Sequence, residues 1–250
     1  MTSGSREHVF RTATELGVAD SVARVFEQCT DPLPTKLDNF PKYARRVPLK
    51  RFLAMYELFK LVLPIKGSVV ECGVFRGFGT MTWAKLSAIL EPENLTRRIY
   101  GFDTFAGFPT IATQDHAADM PEIGDLSSGS EAELLHLIEQ YDADRYLGHI
   151  PKVQLIKGDI AETLPKFVAD NGQLLVSLLF LDADLYEPTA VALEHLLPRM
   201  PRGAVVAFDE LDNPKWPGET VALLERLNIS TVSLRRWEWD PYISYFVVGE

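Results

Sequence analysis

The feature that most constrains the fold is an alternation of short apolar runs and helical stretches that begins after Gly67. Short apolar runs predict buried strands, and the patterned stretches between the first five predict helices that cover the sheet. We therefore expect an α/β fold with a seven-stranded, mostly parallel sheet whose last two strands form an antiparallel edge hairpin. The predicted strands are Val69–Cys72, Ile99–Phe102, Val153–Ile156, Val176–Leu181, Ala204–Phe208, Thr231–Leu234 and Ile243–Val248.

The helices expected between and after these strands follow from apolar spacing and capping signals. Ser130 and Glu133 have the spacing of a capping box, which predicts a helix that starts near Glu131. The predicted helices are Met81–Leu90, Glu131–Tyr146, Thr163–Val168, Thr189–Leu196 and Glu219–Leu227.

Residues 1–66 predict a helical N-terminal extension that helps to cover the site, ahead of a catalytic domain at 67–250. One helix is expected to end near Cys29, before the breaks at Pro32 and Pro34. A second is expected to end before Pro64. Its apolar face is predicted from i, i+3, i+4, i+7 and i+10 spacing, and consists of Leu49, Phe52, Leu53, Tyr56 and Phe59.

One connection is too long for a simple crossover. Between Asp103 and Val153 lie 49 residues, and the part at about 104–130 has several glycines and prolines and no clear period. Loops of this length inside a compact domain are usually functional or disordered. We predict a lid insertion here.

Charge and cysteine content exclude several classes of protein. A formal net charge of −10 disfavours a protein that binds nucleic acid through its phosphates. The longest apolar run, Leu174–Leu181, is far shorter than the roughly 18 residues that span a bilayer. Two cysteines provide neither a disulfide framework nor a zinc cluster. We expect a cytoplasmic enzyme with no nucleic-acid or membrane partner.

Acidic residues lie at or just after the end of each of the first five predicted strands. In an open parallel sheet, ligands bind beyond the carboxyl ends of the strands, so these side chains are expected at one edge. In chain order they are Glu71, Asp103, Asp159, Asp182 with Asp184, and Asp209 with Glu210.

The glycines after the first strand predict a close approach of backbone to ligand. Gly73, Gly77 and Gly79 have neither the phosphate-loop nor the dinucleotide spacing. Glu71 just before them would repel a pyrophosphate and suits a sulfonium, which points to S-adenosylmethionine. Asp103 is then placed to accept the ribose hydroxyls, as an acid commonly does at that strand end.

The rest of the predicted cofactor site comes from the strands that follow. Asp159 is expected to accept the adenine amino group, with Ile160 beside the ring. The full set of predicted cofactor-binding residues is Glu71, Gly73, Gly77, Gly79, Thr80, Asp103, Ser130, Asp159, Ile160 and Asp182.

The acids after the fourth and fifth predicted strands form a second constellation. If they converge, their mutual repulsion raises their pKa values unless a cation is bound. Ligation by oxygen alone favours Mg²⁺, Mn²⁺ or Ca²⁺ over zinc. The other interpretation is that some of these acids are loop caps or surface charges.

Three segments resemble the macrocin O-methyltransferase family, S-adenosylmethionine-dependent sugar O-methyltransferases of antibiotic biosynthesis. They are Val69–Thr80, Tyr100–Pro109 with its GFDTFAGFP sequence, and Leu181–Thr189 with its LDADLYEPT sequence. The resemblance covers roughly residue 38 to the C-terminus and implies a Rossmann-like class I methyltransferase fold.

The resemblance also implies roles for individual residues. Asp182, Asp209 and Glu210 would hold a metal, with Mg²⁺ expected, and Asp184 would be the general base. Where this chain has Asp209–Glu210, the family often has two aspartates. The acceptor would be the hydroxyl of a sugar, carried by a glycosylated natural product or linked to a nucleotide, and the chains would form a homodimer or a larger homo-oligomer.

Three other functions fit some of these residues. The same acids would serve a methyltransferase for a catechol or another vicinal diol. A nucleotide-sugar or NAD enzyme could use the same sheet, although Glu71 disfavours its pyrophosphate. A non-catalytic homologue that retains cofactor binding is the third.

Overall fold

The computed structural model describes residues 12–117 and 121–250. The chain divides into two compact units, Met1–Leu53 and Ala54–Glu250. Parts of two predicted regions, the extension at 1–66 and the lid at 104–130, thus lie outside the described residues, and the covering role of the extension stays a prediction. Within the two described ranges, no helix is long and apolar enough to cross a membrane.

The described residues of the first unit include the short helices α1 (Ala13–Leu16), α2 (Val18–Gln28) and α3 (Leu33–Asp38). The predicted end of a helix near Cys29 is confirmed, since Cys29 itself is extended. Contacts with Phe26 join α2 to the segments that follow it. The Lys36 ammonium donates to the Phe26 carbonyl at 2.7 Å, and the Phe26 and Tyr43 rings meet edge to face at 4.9 Å.

Helix α4 (Arg46–Val62) ends just before Pro64, as predicted, but its predicted apolar face was mostly wrong. Of that face only Phe59 is fully buried, and Leu53 is 53% exposed. The helix carries a second apolar stripe at i, i+3 and i+7, formed by Met55, Leu58 and Val62. This second stripe is the buried one, and spacing alone could not choose between two overlapping stripes.

The second unit is built on one sheet of seven strands, as predicted. Strands that are covered by helices on both faces are nearly continuous apolar runs, which explains why the fourth, with Ser177 as its one polar residue, was predicted to the residue. The strands are β1 (Ser68–Cys72), β2 (Ile99–Asp103), β3 (Val153–Lys157), β4 (Val176–Leu181), β5 (Val205–Phe208), β6 (Arg235–Trp237) and β7 (Asp240–Val247).

The strand order is β3-β2-β1-β4-β5-β7-β6, with β1 to β5 parallel. β7 pairs antiparallel with both β5 and β6, so the predicted antiparallel edge hairpin is confirmed. Every residue of β1 and β4 is buried, and these two central strands form the middle of the core. The order of strands reverses between β1 and β4, where ligands bind in folds of this class.

The prediction for the sixth strand was wrong in position. Residues 229–231 form a single turn, and β6 begins only at Arg235. The Asn228 carboxamide accepts the Ser230 N–H at 3.2 Å, and the Thr231 hydroxyl donates to the Asn228 carbonyl at 2.7 Å. These local hydrogen bonds replace strand pairing. The real edge strand is polar, as suits an exposed sheet edge.

Five helices of the second unit match the predicted segments, but three of them start three residues earlier than expected. The earlier starts place helix N-termini directly behind the strand-end loops, where backbone N–H groups face the ligand edge. The helices are α5 (Phe78–Leu90), α6 (Glu131–Asp144), α7 (Ile160–Asp170), α8 (Tyr186–Leu196) and α9 (Gly218–Arg226).

The predicted capping box at α6 was wrong, although the helix does start at Glu131. Ser130 makes no side-chain cap to the helix. Its hydroxyl instead donates to the Phe75 carbonyl at 2.6 Å, in the loop after β1. A long-range partner therefore replaced the local one that the S-x-x-E pattern predicts.

Candidate functional site

The loop after β1 closes over a buried carboxylate. Glu71 is 1% exposed, and its carboxylate accepts a hydrogen bond from the Thr80 hydroxyl in the first turn of α5. A Cβ at Gly79 would lie 1.6 Å from Glu71 Oε1. Gly79 is therefore required for α5 to pass over the carboxylate. The structure thus brings together three residues that were predicted to lie in one site.

The other two loop glycines allow close backbone and side-chain contacts. Gly73 has φ +96°, and a Cβ there would lie 2.0 Å from the Asp182 carbonyl oxygen. Gly77 has φ +82°, and a Cβ would meet the Leu134 side chain at 2.1 Å. The left-handed backbone and the lack of space both demand glycine. The glycine loop thus lies against the start of the loop after β4.

Asp103 organises this loop from the neighbouring strand. Its Oδ2 accepts the backbone N–H groups of Val74 at 2.8 Å and Phe75 at 2.7 Å. Its Oδ1 accepts the Phe105 N–H at 2.6 Å. A carboxylate has about four acceptor positions, so capacity for one further donor remains. This loop-ordering role was not predicted from the sequence.

The other predicted cofactor residues lie at the ends of β3 and α6. The Asp159 carboxylate caps α7 by accepting the Ala161 N–H at 2.9 Å. Ile160 is 7% exposed and belongs to the core cluster that contains Val70 and Phe102. Ser130 reaches the site through its bond to Phe75.

Backbone hydrogen bonds continue past the strand ends and keep the site loops side by side. The Gly73 N–H donates to the Phe102 carbonyl and the Asp182 N–H to the Cys72 carbonyl, both at 2.9 Å. The Asp209 N–H donates to the Leu181 carbonyl at 3.0 Å. The acids at the ends of β1 and β2 and just after β4 and β5 consequently share one edge of the sheet. Asp184 in this edge has φ +61°, an uncommon conformation for a residue other than glycine.

A further acid, which the sequence does not predict as a site residue, lies at this edge. Glu219, in the first turn of α9, is fully buried. Its Oε2 accepts the Glu210 N–H at 3.2 Å, and its Oε1 has no hydrogen-bond partner. Burial raises the pKa of Glu219 well above its usual value, and the negative charges of Asp184, Glu210 and Asp209 raise it further.

Asp184, Asp209 and Glu210 thus lie close enough to Glu219 to act on its charge, and two of these three, Asp209 and Glu210, are predicted metal ligands. An acid in the first turn of a helix ordinarily indicates a surface charge, so Glu219 gave no local signal. Its one clue was its position nine residues after the Asp209–Glu210 pair.

The acids after β4 and β5 fit a hard divalent cation in their chemistry, because such cations prefer carboxylate oxygens as ligands. A bound cation would also relieve the repulsion between the carboxylates. In the described part of the chain, however, no three His, Cys, Asp or Glu side chains form a group that could hold a metal ion. The acids share one edge without closing into a ligand shell.

The chain is similar to proteins of known family over most of its length. The family model described as Macrocin-O-methyltransferase (TylF) matches residues 49–222. The crystal structure of CalS11, a calicheamicin methyltransferase, has 34% sequence identity and a TM-score of 0.92, with 96% of this chain and 95% of that chain covered. The O-methyltransferase NovP shares the fold, with a TM-score of 0.62, 22% identity and 79% of each chain covered.

Two curated relatives are named as O-methyltransferases. One is the 8-demethyl-8-(2,3-dimethoxy-alpha-L-rhamnosyl)-tetracenomycin-C 4′-O-methyltransferase of Streptomyces olivaceus, 33% identical over 66% of this chain and 61% of that protein. The other is the mycinamicin III 3″-O-methyltransferase of Micromonospora griseorubida, 26% identical over 58% of this chain and 56% of that protein. The chain thus spans less than two thirds of either relative. From the family match and the matched fold, we conclude that the chain belongs to the macrocin O-methyltransferase family.

Proposed function

We propose that this protein transfers a methyl group from S-adenosylmethionine to a hydroxyl of a deoxysugar in natural-product biosynthesis. The observation that carries the proposal is the contact between the glycine loop and the acid-bearing loop after β4. The two loops are so close that a Cβ at Gly73 would clash with the Asp182 carbonyl oxygen. A cofactor on the first loop would lie beside the acids of the second. The rhamnosyl group in the name of the Streptomyces olivaceus relative supports a sugar as the acceptor.

The cofactor would lie along the loops after β1, β2 and β3. A buried carboxylate at Glu71 favours a cationic ligand over a pyrophosphate. The remaining acceptor capacity of Asp103 is suited to a ribose hydroxyl, and the free oxygen capacity of Asp159 to the adenine amino group. Ile160 is mostly buried in the core, so at most its edge would contact the adenine ring.

The reaction would be a direct displacement. The sugar hydroxyl oxygen attacks the methyl carbon, the carbon–sulfur bond breaks, and S-adenosylhomocysteine leaves with the bonding electron pair. Asp184 would take the hydroxyl proton as general base. The left-handed backbone of Asp184 sets the direction in which its side chain leaves the main chain, two residues before α8 begins.

A sugar hydroxyl is a weak acid, so a base alone gives little nucleophile at neutral pH. A divalent cation, if held by Asp182, Asp209 and Glu210, would supply the Lewis acidity that lowers the pKa of such a hydroxyl. Glu219 supports this set through its hydrogen bond to the Glu210 backbone.

The acceptor class separates this proposal from methylation of a catechol or another vicinal diol. We would incubate the purified protein with methyl-labelled S-adenosylmethionine and three acceptors: a thymidine-diphosphate deoxyhexose, a deoxyhexose on an aromatic aglycone, and a catechol. Mass spectrometry should show label in one of the two sugars. Label in the catechol alone would overturn the sugar assignment. Cofactor binding without transfer to any acceptor would overturn the enzymatic assignment. Light scattering of the same sample tests the expected dimer or larger oligomer.

A further inference from the structure

Asp115, in the middle of the insertion between β2 and α6, is a carboxylate that the reaction described above does not use. It is 2% exposed although it belongs to a long loop. Its Oδ1 accepts the backbone N–H of Tyr186 at 2.7 Å, and its Oδ2 accepts that of Ala112 at 2.9 Å. The loop after β2 is thereby joined to the start of α8.

We propose that Asp115 is a positioning residue that fixes the turn carrying Asp184, and so sets the orientation of the general base. The inference rests on the proposed function, because it assigns Asp115 to the base of that reaction. It adds a link between the insertion and the edge of the sheet that carries the acids.

The first support is the way in which α8 begins. Its N-cap residue, Leu185, has no side chain that can accept a hydrogen bond, and the structure shows no local cap. Asp115 supplies the missing acceptor from another segment of the chain. A carboxylate at a helix N-terminus also interacts favourably with the helix dipole, so this cap is stronger than a neutral one.

The second support is the conformation of Asp184. With φ +61° it occupies the left-handed region, two residues before the N–H that Asp115 holds. Such conformations cost roughly 1–3 kcal/mol and persist where the surroundings fix them from more than one side. The strand β4 fixes the turn at its start, and Asp115 fixes it at its end.

The third support is the lack of space around the carboxylate. A Cβ at Gly218, the first residue of α9, would lie 2.1 Å from Asp115 Oδ1 and 2.4 Å from the Tyr186 nitrogen. Next in sequence is Glu219, which holds the Glu210 N–H. The starts of α8 and α9 and the insertion therefore meet at one point, close to both acid-bearing turns.

An apolar cluster shields this point from water. Phe108 of the insertion packs edge to face on Trp216 at 5.8 Å, and the two rings form one buried cluster with Leu185. Hydrogen bonds to a charged group are stronger where water is excluded. The insertion is thus joined to the acid-bearing edge of the sheet by charge-assisted hydrogen bonds that an apolar cluster surrounds.

The test compares Asp115→Asn and Asp115→Ala with Asp125→Ala. Asp125 is a matched control because it lies on the same insertion, is exposed, and accepts the Glu122 N–H within that insertion at 2.9 Å. Asparagine keeps one acceptor and the side-chain volume, so Asp115→Asn is the variant least prone to misfolding. We would measure kcat, KM for the acceptor, the Kd for S-adenosylmethionine, and amide exchange of residues 184–187.

We expect kcat to fall more than 10-fold in Asp115→Ala and less in Asp115→Asn, with the cofactor Kd unchanged within about threefold. Protection of the Tyr186 amide should fall in both variants and not in Asp125→Ala. A kcat within threefold of wild type in Asp115→Ala would overturn the proposal, as would a fall matched by equal loss of cofactor binding. Amide exchange does not depend on methyl transfer and therefore tests the contact separately. If the wild-type protein has no activity but both Asp115 variants lose protection of the Tyr186 amide, the proposed function is wrong and the contact is not.

Discussion

The Asp103 carboxylate accepts the backbone N–H of Phe75 at 2.7 Å and so holds the glycine loop of one strand from the end of the next. Phe75 has φ +51°, which is uncommon for an aromatic residue, and the carboxylate stabilises the N–H side of that turn. The acid proposed to bind the ribose therefore also shapes the loop that would bind the methionine part of the cofactor.

Replacement of Asp103 should weaken both roles. In Asp103→Ala, three backbone N–H groups lose their acceptor, and we expect the free energy of unfolding to drop by about 1–3 kcal/mol. The Kd for S-adenosylmethionine should rise at least 10-fold, with a smaller rise for Asp103→Asn. Urea unfolding and calorimetric titration measure the two effects. An unchanged Kd in the alanine variant would rule out Asp103 as part of the cofactor site.

Gly79→Ala should disturb Glu71, since the added Cβ would lie 1.6 Å from Glu71 Oε1. The buried carboxylate would have to move away from the Thr80 hydroxyl. We expect a lower melting temperature and at least a 10-fold loss of cofactor affinity. Gly172→Ala is the matched control, because nothing lies within 4 Å of a Cβ there. Equal behaviour of the two variants would mean that the space over Glu71 is not critical.

The proposed cation site can be tested without an activity assay. Calorimetric titration with Mg²⁺ should give binding heat in the wild type and little in Asp209→Asn, which removes one predicted ligand. Asp170→Asn, at the exposed end of α7, controls for the general loss of one negative charge. Chelation should also lower turnover, with recovery on addition of Mg²⁺. Absence of Mg²⁺ binding in the wild type, with full turnover in chelator, would contradict the assignment of Asp182, Asp209 and Glu210.

Lys152 predicts a pH dependence of stability. It is 5% exposed and donates to the Asn94 carbonyl at 2.7 Å, and burial lowers its pKa from 10.5 to about 8. Above about pH 8 the folded protein releases the proton that the unfolded chain keeps until about pH 10.5. The unfolded state then binds more protons, so this residue makes stability rise with pH in that window.

The comparison with Lys152→Met isolates this contribution. The free energy of unfolding of wild type relative to the variant should increase by about 1–3 kcal/mol between pH 8 and 10. Urea unfolding at several pH values measures it. A constant difference in the free energy of unfolding between pH 8 and 10 would mean that burial does not lower the pKa of the Lys152 ammonium.

The sequence predicted the sheet well because its strands are covered on both faces. β4 is apolar except for Ser177 and was predicted to the residue, whereas the polar edge strand β6 has no such pattern and was misplaced. The acids at the strand ends follow from the topology of parallel sheets, so the sequence alone was enough to assign Glu71 and Asp182 to one edge.

What the sequence could not supply were contacts between distant segments. Ser130 has the local pattern of a helix cap, yet its hydroxyl bonds to Phe75, which is 55 residues away. Asp115 and Glu219 have the appearance of surface acids in sequence, yet both are buried at the starts of helices. Their partners are backbone N–H groups, which leave no trace in side-chain patterns.

The most direct test of the proposed methyl transfer is the turnover of Asp184→Asn, with the cofactor Kd measured on the same preparation. Asparagine preserves the size of the side chain and cannot accept the hydroxyl proton. We expect kcat to fall by about 10²–10⁴-fold while the Kd for S-adenosylmethionine stays within about twofold. A kcat within a few-fold of wild type would contradict the claim that the acidic edge of the sheet performs the methyl transfer.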